Sequence, residues 1–208
     1  MTAAPTSGPE LARAVELLER SLGYTRVALA GIGQDDLDAP TPCSGWTLSR
    51  LLEHMEDALD AFTEAASGQV EVTPASPRAD RVDSLREKAC TLLGVWTEAR
   101  TGSVAVGDRQ LDAPLLVEMA ALEIAVHGWD VAQATGRRTP IPDDLARGLQ
   151  LVAARVVRPA DRGSRFGPAR RPAAPASPTD ALMAFLGRMT GPVGGNSGEP
   201  PSPEGIAS

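Results

Sequence analysis

Residues 120–134 read AALEIAVHGWDVAQA, and the fold turns on how this stretch is read. Leu115, Leu116, Val117 and Met119 precede it, and Leu122, Ile124, Val126, Trp129 and Val131 lie within it. Placed on a helix, these apolar positions cover nearly the whole circumference. A helix of that kind is stable in water only when neighbours surround it on most sides, so the stretch predicts the central member of a helical bundle. Asp112 is placed to cap its start, with Pro114 in the first turn, where a missing N–H costs nothing. Gly136, followed by Arg137, Arg138 and two prolines, marks its end.

Working outward, the surrounding chain supplies those neighbours. Leu48, Leu51, Leu52, Met55, Leu59 and Phe62 form an amphipathic stripe on a helix expected from Thr47 to Ala66, with Ser44 or Thr47 as its cap. Before it, DDLDAPTPCSGWTLS reads as a tight, structured turn, and Pro9 to Ile32 as a first helix. After it, Ser67 to Arg78 has Gly, two Pro and no helical period. That link is long for an antiparallel hairpin of helices, whose connections are typically about 2–8 residues, and it lets the second and third helices run parallel. The third helix is expected from Asp80 to Arg100, with Val82, Leu85, Leu92, Leu93 and Trp96 in the core, followed by a loop from Thr101 to Gln110. A fifth helix follows from Pro142 to Val157, then a Pro- and Arg-rich surface stretch over 158–178, then a short helix from Thr179 to Arg188. No strand with strong period-2 alternation is visible, so the predicted class is all-α.

Bulk properties agree. A chain of 208 residues with 42% hydrophobic residues can bury one full core. Aromatics make up only 3%, and Ala, Leu and Val do most of the filling, which favours helices over strands. A formal net charge of -7 argues against a nucleic-acid partner, despite a local cluster of Arg162, Arg165, Arg170 and Arg171. No apolar run approaches the roughly 20 residues that span a bilayer. Cys43 and Cys90 form no CxxC pair, and the N-terminus lacks the features of a signal peptide, so the expected setting is the reducing cytoplasm. The expected organisation is one helical bundle over 9–190, flanked by unstructured ends at 1–8 and 191–208.

The central helix also carries chemistry. Glu123 and His127 stand four residues apart, on one face. Among Leu116, Met119, Ala120 and Val126 a lone carboxylate is expensive, so it is neutral, ion-paired or bound to a metal. Spacing alone leaves two readings open: a chelating pair, or an ordinary hydrogen-bonded pair. His54, the second of the two histidines, falls on the border of the second helix's apolar stripe. It reads either as a third donor or as a satisfied boundary histidine. Three protein donors with an open position would describe a catalytic zinc site, and two His with one carboxylate also suit Fe(II) or Ni(II). Asp130 reads as a residue orienting His127, or as a partner of Arg137 or Arg138. Arg50, one turn before His54, reads as solvated or as meeting an anionic group. Cys43 reads as a reactive thiol at a helix start or as a small buried residue, Cys90 as a packing residue, and Trp46 and Trp129 as core or pocket wall.

The phrase PTPCSGWTLSRLLEHM resembles the second-helix motif of the mycothiol-dependent maleylpyruvate isomerase family, T-P-C-x-x-W-x-x-x-x-L-x-x-H. LEIAVHGWDVAQATG resembles its fourth-helix motif, E-x-x-x-H-x-x-D-x-A-x-A-x-G, and RFGPA and DALMAFLGR resemble closing motifs of its metal-binding members. Together the resemblance covers about residues 10–190. It implies a DinB-like four-helix bundle, up-down-down-up, here with additional C-terminal helices. It implies a divalent metal held by His54, Glu123 and His127; the donor types put zinc before nickel or iron, and Asp130 and Arg50 are read from their positions alone as residues behind the ligands. It implies mycothiol as co-substrate, its metal-bound thiolate attacking a small electrophile in an isomerisation or S-transfer. The alternative on the same bundle is a non-catalytic module binding a divalent metal or small molecule. The expected assembly is a monomer or homodimer, without membrane or nucleic-acid partners. The isomerase itself carries a further C-terminal domain, whereas only about 50 residues expected to be ordered follow the fourth helix here, so its substrate contacts are not carried over.

Overall fold

The computed structural model describes residues 8–67, 76–99, 103–106, 109–163, 165–172 and 174–189. Helix α1 spans Gly8–Leu29 and α2 spans Leu48–Ser67, with a single-turn 3-10 helix at Gln34–Asp38 between them. Helix α3 spans Arg81–Glu98, α4 Ala113–Ala134, α5 Asp143–Val156 and α6 Pro178–Phe185. The helix boundaries follow local chemistry. Asp112 Oδ2 accepts the N–H of Leu115 at 3.1 Å and opens α4, Thr47 Oγ1 accepts the N–H of Arg50 at 3.4 Å in the first turn of α2, and Ser177 with Asp180 forms a reciprocal capping box on α6. Gly136 takes φ +70° just past α4, a conformation that favours glycine.

The first four helices form the bundle, and side-chain pairs fix their directions. Arg81 at the start of α3 bonds Ser49 and Glu56 in the first half of α2, while Lys88 pairs with Asp60 and Trp96 Nε1 donates to the Phe62 carbonyl further along. Start meets start and end meets end, so α2 and α3 run parallel, as the long link between them allows. Residues 68–75 of that link lie outside the described residues, as do 1–7 and 190–208, where unstructured ends were expected. The connection between α3 and α4 leads the chain back along α4, whose second half meets the end of α1 through Thr25 and Ile124, giving the up-down-down-up order.

That connection differs from the expected loop. Ser103–Val106 (β1) and Arg109–Asp112 (β2) pair antiparallel, with Val104 opposite Leu111. Strands of four residues give too few positions for alternation to show in the sequence, and Val104 is the residue of β1 seen to be buried. Cys90 also departs from expectation: it is exposed rather than buried in packing. Of the expected α3 core, Leu85, Leu92 and Trp96 are buried, whereas Val82 and Leu93 are half-buried.

Helix α4 is central, packing against α1, α2 and α5. Its contact with α1 is close because Gly128 has no side chain: a Cβ there would lie 2.3 Å from Thr25 Oγ1 and 3.1 Å from the Thr25 backbone. Thr25 Oγ1 donates to the Ile124 carbonyl at 2.9 Å, which locks the two helices in this register. Gly128→Ala therefore forces α1 away from α4, and overpacking of this kind costs about 1–3 kcal/mol. Thermal denaturation should show the loss, whereas an unchanged midpoint would mean that α1 yields freely.

Candidate metal centre

Helices α2 and α4 bring His54, Glu123 and His127 together. One oxygen, Glu123 Oε1, lies 2.8 Å from His54 Nε2 and 3.1 Å from His127 Nε2. One ligand atom from each residue can be chosen so that all lie within 4.8 Å of one another. His127 is buried, and His54 and Glu123 are half-buried at the surface of a cleft. The His54 ring stands edge-on between Trp46, at 5.1 Å between centroids, and His127, at 5.0 Å. The amphipathic spacing of α2 leaves His54 at the edge of its buried stripe, and so able to reach across to α4.

The second nitrogen of His127 faces another carboxylate. Nδ1 lies 2.9 Å from Asp130 Oδ2, and Asp130 is completely buried. Arg188 holds Asp130 from the far side, with Nε donating to Oδ1 at 2.8 Å and an Nη donating to Oδ2 at 2.7 Å. Ionised carboxylates only accept hydrogen bonds, so an imidazole between two of them requires positive charge on the ring or beside it. The electrostatics agree. Burial pushes the Glu123 carboxyl up, but the charge of His127 and hydrogen bonds from both histidines hold it well below its ordinary range. Burial pushes His127 down, but Glu123's charge and bonds to Asp130, Cys43 and Glu123 raise it well above its ordinary value. Burial raises Asp130, and the Arg188 charge with the His127 bond outweighs it and brings the carboxyl down.

This donor set fits a divalent metal. A dication among His54, Glu123 and His127 would supply the positive charge that otherwise needs a second proton on His127, and would leave Nδ1–H to Asp130. Two imidazoles and one carboxylate suit zinc, nickel and iron(II). A second cluster, Cys43, His127 and Asp130, also brings its ligand atoms close together. There the cation is already present: an Arg188 Nη lies 3.7 Å from Cys43 Sγ and bonds Asp130.

The other residues singled out in the sequence fall as follows. Asp130 bonds His127, Arg188 and Cys43, rather than Arg137 or Arg138. Cys43 is half-buried, with Sγ 3.4 Å from Asp130 Oδ2. Arg50 is exposed, bonds Glu53 at 2.9 Å and lies 5.6 Å from the Trp46 ring centre, outside the cleft lining. Arg188 was not singled out. It stands in the quoted phrase DALMAFLGR, but its partner is 58 residues away, and no local pattern links them.

The cleft holds about 950 Å³ and is lined by the three donors and Trp46 together with Phe166, Arg165 and Arg170. Arg162 turns away from it, donating to the carbonyls of Gly167 at 3.0 Å and Phe185 at 2.8 Å.

The sequence profile of the mycothiol maleylpyruvate isomerase N-terminal domain matches residues 18–132, more than half of the chain. Two uncharacterized proteins from two strains of Mycobacterium tuberculosis are each 31% identical over 170 residues, covering 77% of this chain and 89% of the relative. Among solved structures, the fold is similar to that of the mycothiol-dependent maleylpyruvate isomerase, with a TM-score of 0.52 and 18% identity over 72% of this chain and 71% of that one. A histidine-to-alanine mutant of that enzyme gives a TM-score of 0.53 and 17% identity at the same coverage. At these identities the likeness is one of fold.

Proposed function

The chain belongs to the mycothiol maleylpyruvate isomerase N-terminal domain family, and on that premise we propose that it is a metal-dependent enzyme that uses a low-molecular-weight thiol, mycothiol by kinship, either to isomerise a small electrophile or to add the thiol sulfur to it. The observation that carries this reading is Glu123 Oε1 set between the Nε2 atoms of two imidazoles, with the remaining nitrogen of His127 on a buried carboxylate. His54, Glu123 and His127 would hold the metal, zinc first, with nickel or iron(II) as the other ions such donors take. Bound there, the ion supplies Lewis acidity that brings a thiol's pKa down toward neutrality.

The chain's own residues do the rest. Asp130 accepts the Nδ1–H of His127 and so fixes the tautomer that leaves Nε2 free to ligate. Trp46 and Phe166 give the cleft apolar surface beside the donors. Arg165 and Arg170 also line the cleft and present positive charge to whatever enters. Both cysteines are free, which suits a reducing cytoplasm where a small thiol stays reduced. No helix among the described residues is long and apolar enough to cross a membrane.

The test loads the full chain with cobalt(II) and titrates it with mycothiol. Thiolate-to-cobalt absorption is expected to grow with thiol, and turnover of an activated double bond is expected to require both metal and thiol. Cobalt binding with neither response would overturn the enzyme reading and assign the bundle to metal or small-molecule binding alone.

A further inference from the structure

Arg188 has more structure built around it than a surface ion pair needs. Its guanidinium is nearly buried, with the side chain 12% exposed, and grips both oxygens of an Asp130 that has no exposure at all. The backbone that presents it is equally constrained. Past the end of α6, the N–H of Arg188 bonds the Met183 carbonyl at 2.9 Å and that of Gly187 bonds Ala184 at 3.1 Å, the pattern of a Schellman cap. Gly187 takes φ +83°, and a Cβ there would lie 2.6 Å from the Gly167 backbone, so two chain segments touch at this point. Arg162 ties the same segments through Gly167 and Phe185, and Arg170 Nε donates to the Gly187 carbonyl at 3.2 Å.

A buried ion pair gives little net stability when compared with apolar packing, so stability alone does not account for this construction. What the fork does is fix Asp130. With Oδ1 and Oδ2 both held, the carboxylate cannot rotate away from His127, and Oδ2 stays 2.9 Å from Nδ1. The local cations Arg137 and Arg138 do not substitute; the cation comes from beyond α6, outside the matched residues 18–132.

We propose that Arg188 is a positioning residue of the metal centre: by clamping Asp130 it holds His127 with Nε2 directed at Glu123 and His54. The C-terminal segment is then part of the site rather than a cover strapped over it. This inference rests on the reading that His54, Glu123 and His127 hold a metal.

The experiment titrates the full chain with cobalt(II) against a competing chelator, with thermal melts in parallel. Arg188→Met is expected to weaken cobalt binding by about 10–100-fold, the usual effect of losing a partner behind a ligand, at unchanged stoichiometry. Arg188→Lys, which keeps the charge and loses the fork, should fall between. Gly187→Ala, which keeps the arginine and displaces its backbone, should also weaken binding. In an Asp130→Asn background, Arg188→Met should add little, since the two act as one unit. Unchanged cobalt affinity in Arg188→Met, even with a lowered melting point, would reduce Arg188 to a staple and overturn the proposal. Should the methionine variant fail to fold, the lysine and Gly187→Ala variants decide the same question. A wild-type chain that binds no cobalt would instead bring down the metal reading itself, a result distinct from tight binding that ignores Arg188.

Discussion

The His127→Ala chain is expected to lose its divalent metal under conditions in which the wild-type chain keeps it. His127 is the most buried of the three donors and the one with a carboxylate on each ring nitrogen. Its removal takes away a ligand and leaves Asp130 Oδ2 with only Arg188 and Cys43. The affinity loss should exceed the roughly 10–100-fold that a partner behind a ligand contributes. Glu123→Gln should follow closely, because the amide keeps the shape and loses the charge. His54→Ala should cost least of the three, since His54 is half-exposed and water can take its place. Metal analysis of purified protein reads all three, and full retention in every variant would sink the assignment. Chelation of the wild type should also lower its melting temperature, because an ion present at 100 times its Kd stabilises the folded state by about 2.7 kcal/mol.

Arg81→Met is expected to be the most damaging change away from the site. Arg81 and Glu56 are both buried, at 8% and 3% exposure, between α3 and α2. Arg81 Nε donates to Glu56 Oε2 at 3.0 Å, and its Nη atoms donate to the Ser49 and Ser76 carbonyls at 3.1 and 3.2 Å. Among the described residues Glu56 Oε1 has no hydrogen-bond partner, and Arg81 carries the compensation for that carboxylate. Removing it strands a buried charge and two carbonyls, a loss of about 3–5 kcal/mol. Urea denaturation would measure it. The double variant Arg81→Met with Glu56→Met should recover much of the loss, because no charge is then left behind. A single variant as stable as wild type would show that water reaches Glu56 through the α2–α3 seam.

The α2 and α4 motifs were legible for different reasons. In α4, nearly every position is apolar, so Glu123, His127 and Asp130 stood out against their surroundings. In α2, the stripe from Leu48 to Leu59 fixed the helix phase and put His54 on its border. The length of the α2–α3 link allowed those two helices to run parallel, and the full up-down-down-up order was what the family resemblance implied. Pairing of β1 with β2 was not legible, because four-residue strands carry no readable period and backbone bonding between them leaves no mark on composition. Nor was the exposure of Cys90, since a mid-helix position alone does not say which neighbour covers it.

By itself the sequence determined the helices, their caps and which residues of α2 and α4 face inward, because these depend on contacts between residues a few positions apart. Its motifs also carried the family. Only the tertiary structure decided that Glu123 Oε1 sits between two imidazoles, that Arg188 rather than Arg137 or Arg138 neutralises Asp130, and that Arg81 compensates Glu56. Each of these joins residues from separate helices or from the segment after α6. Charge pairing across such separations depends on where packing brings the backbone, and a local pattern holds no record of that.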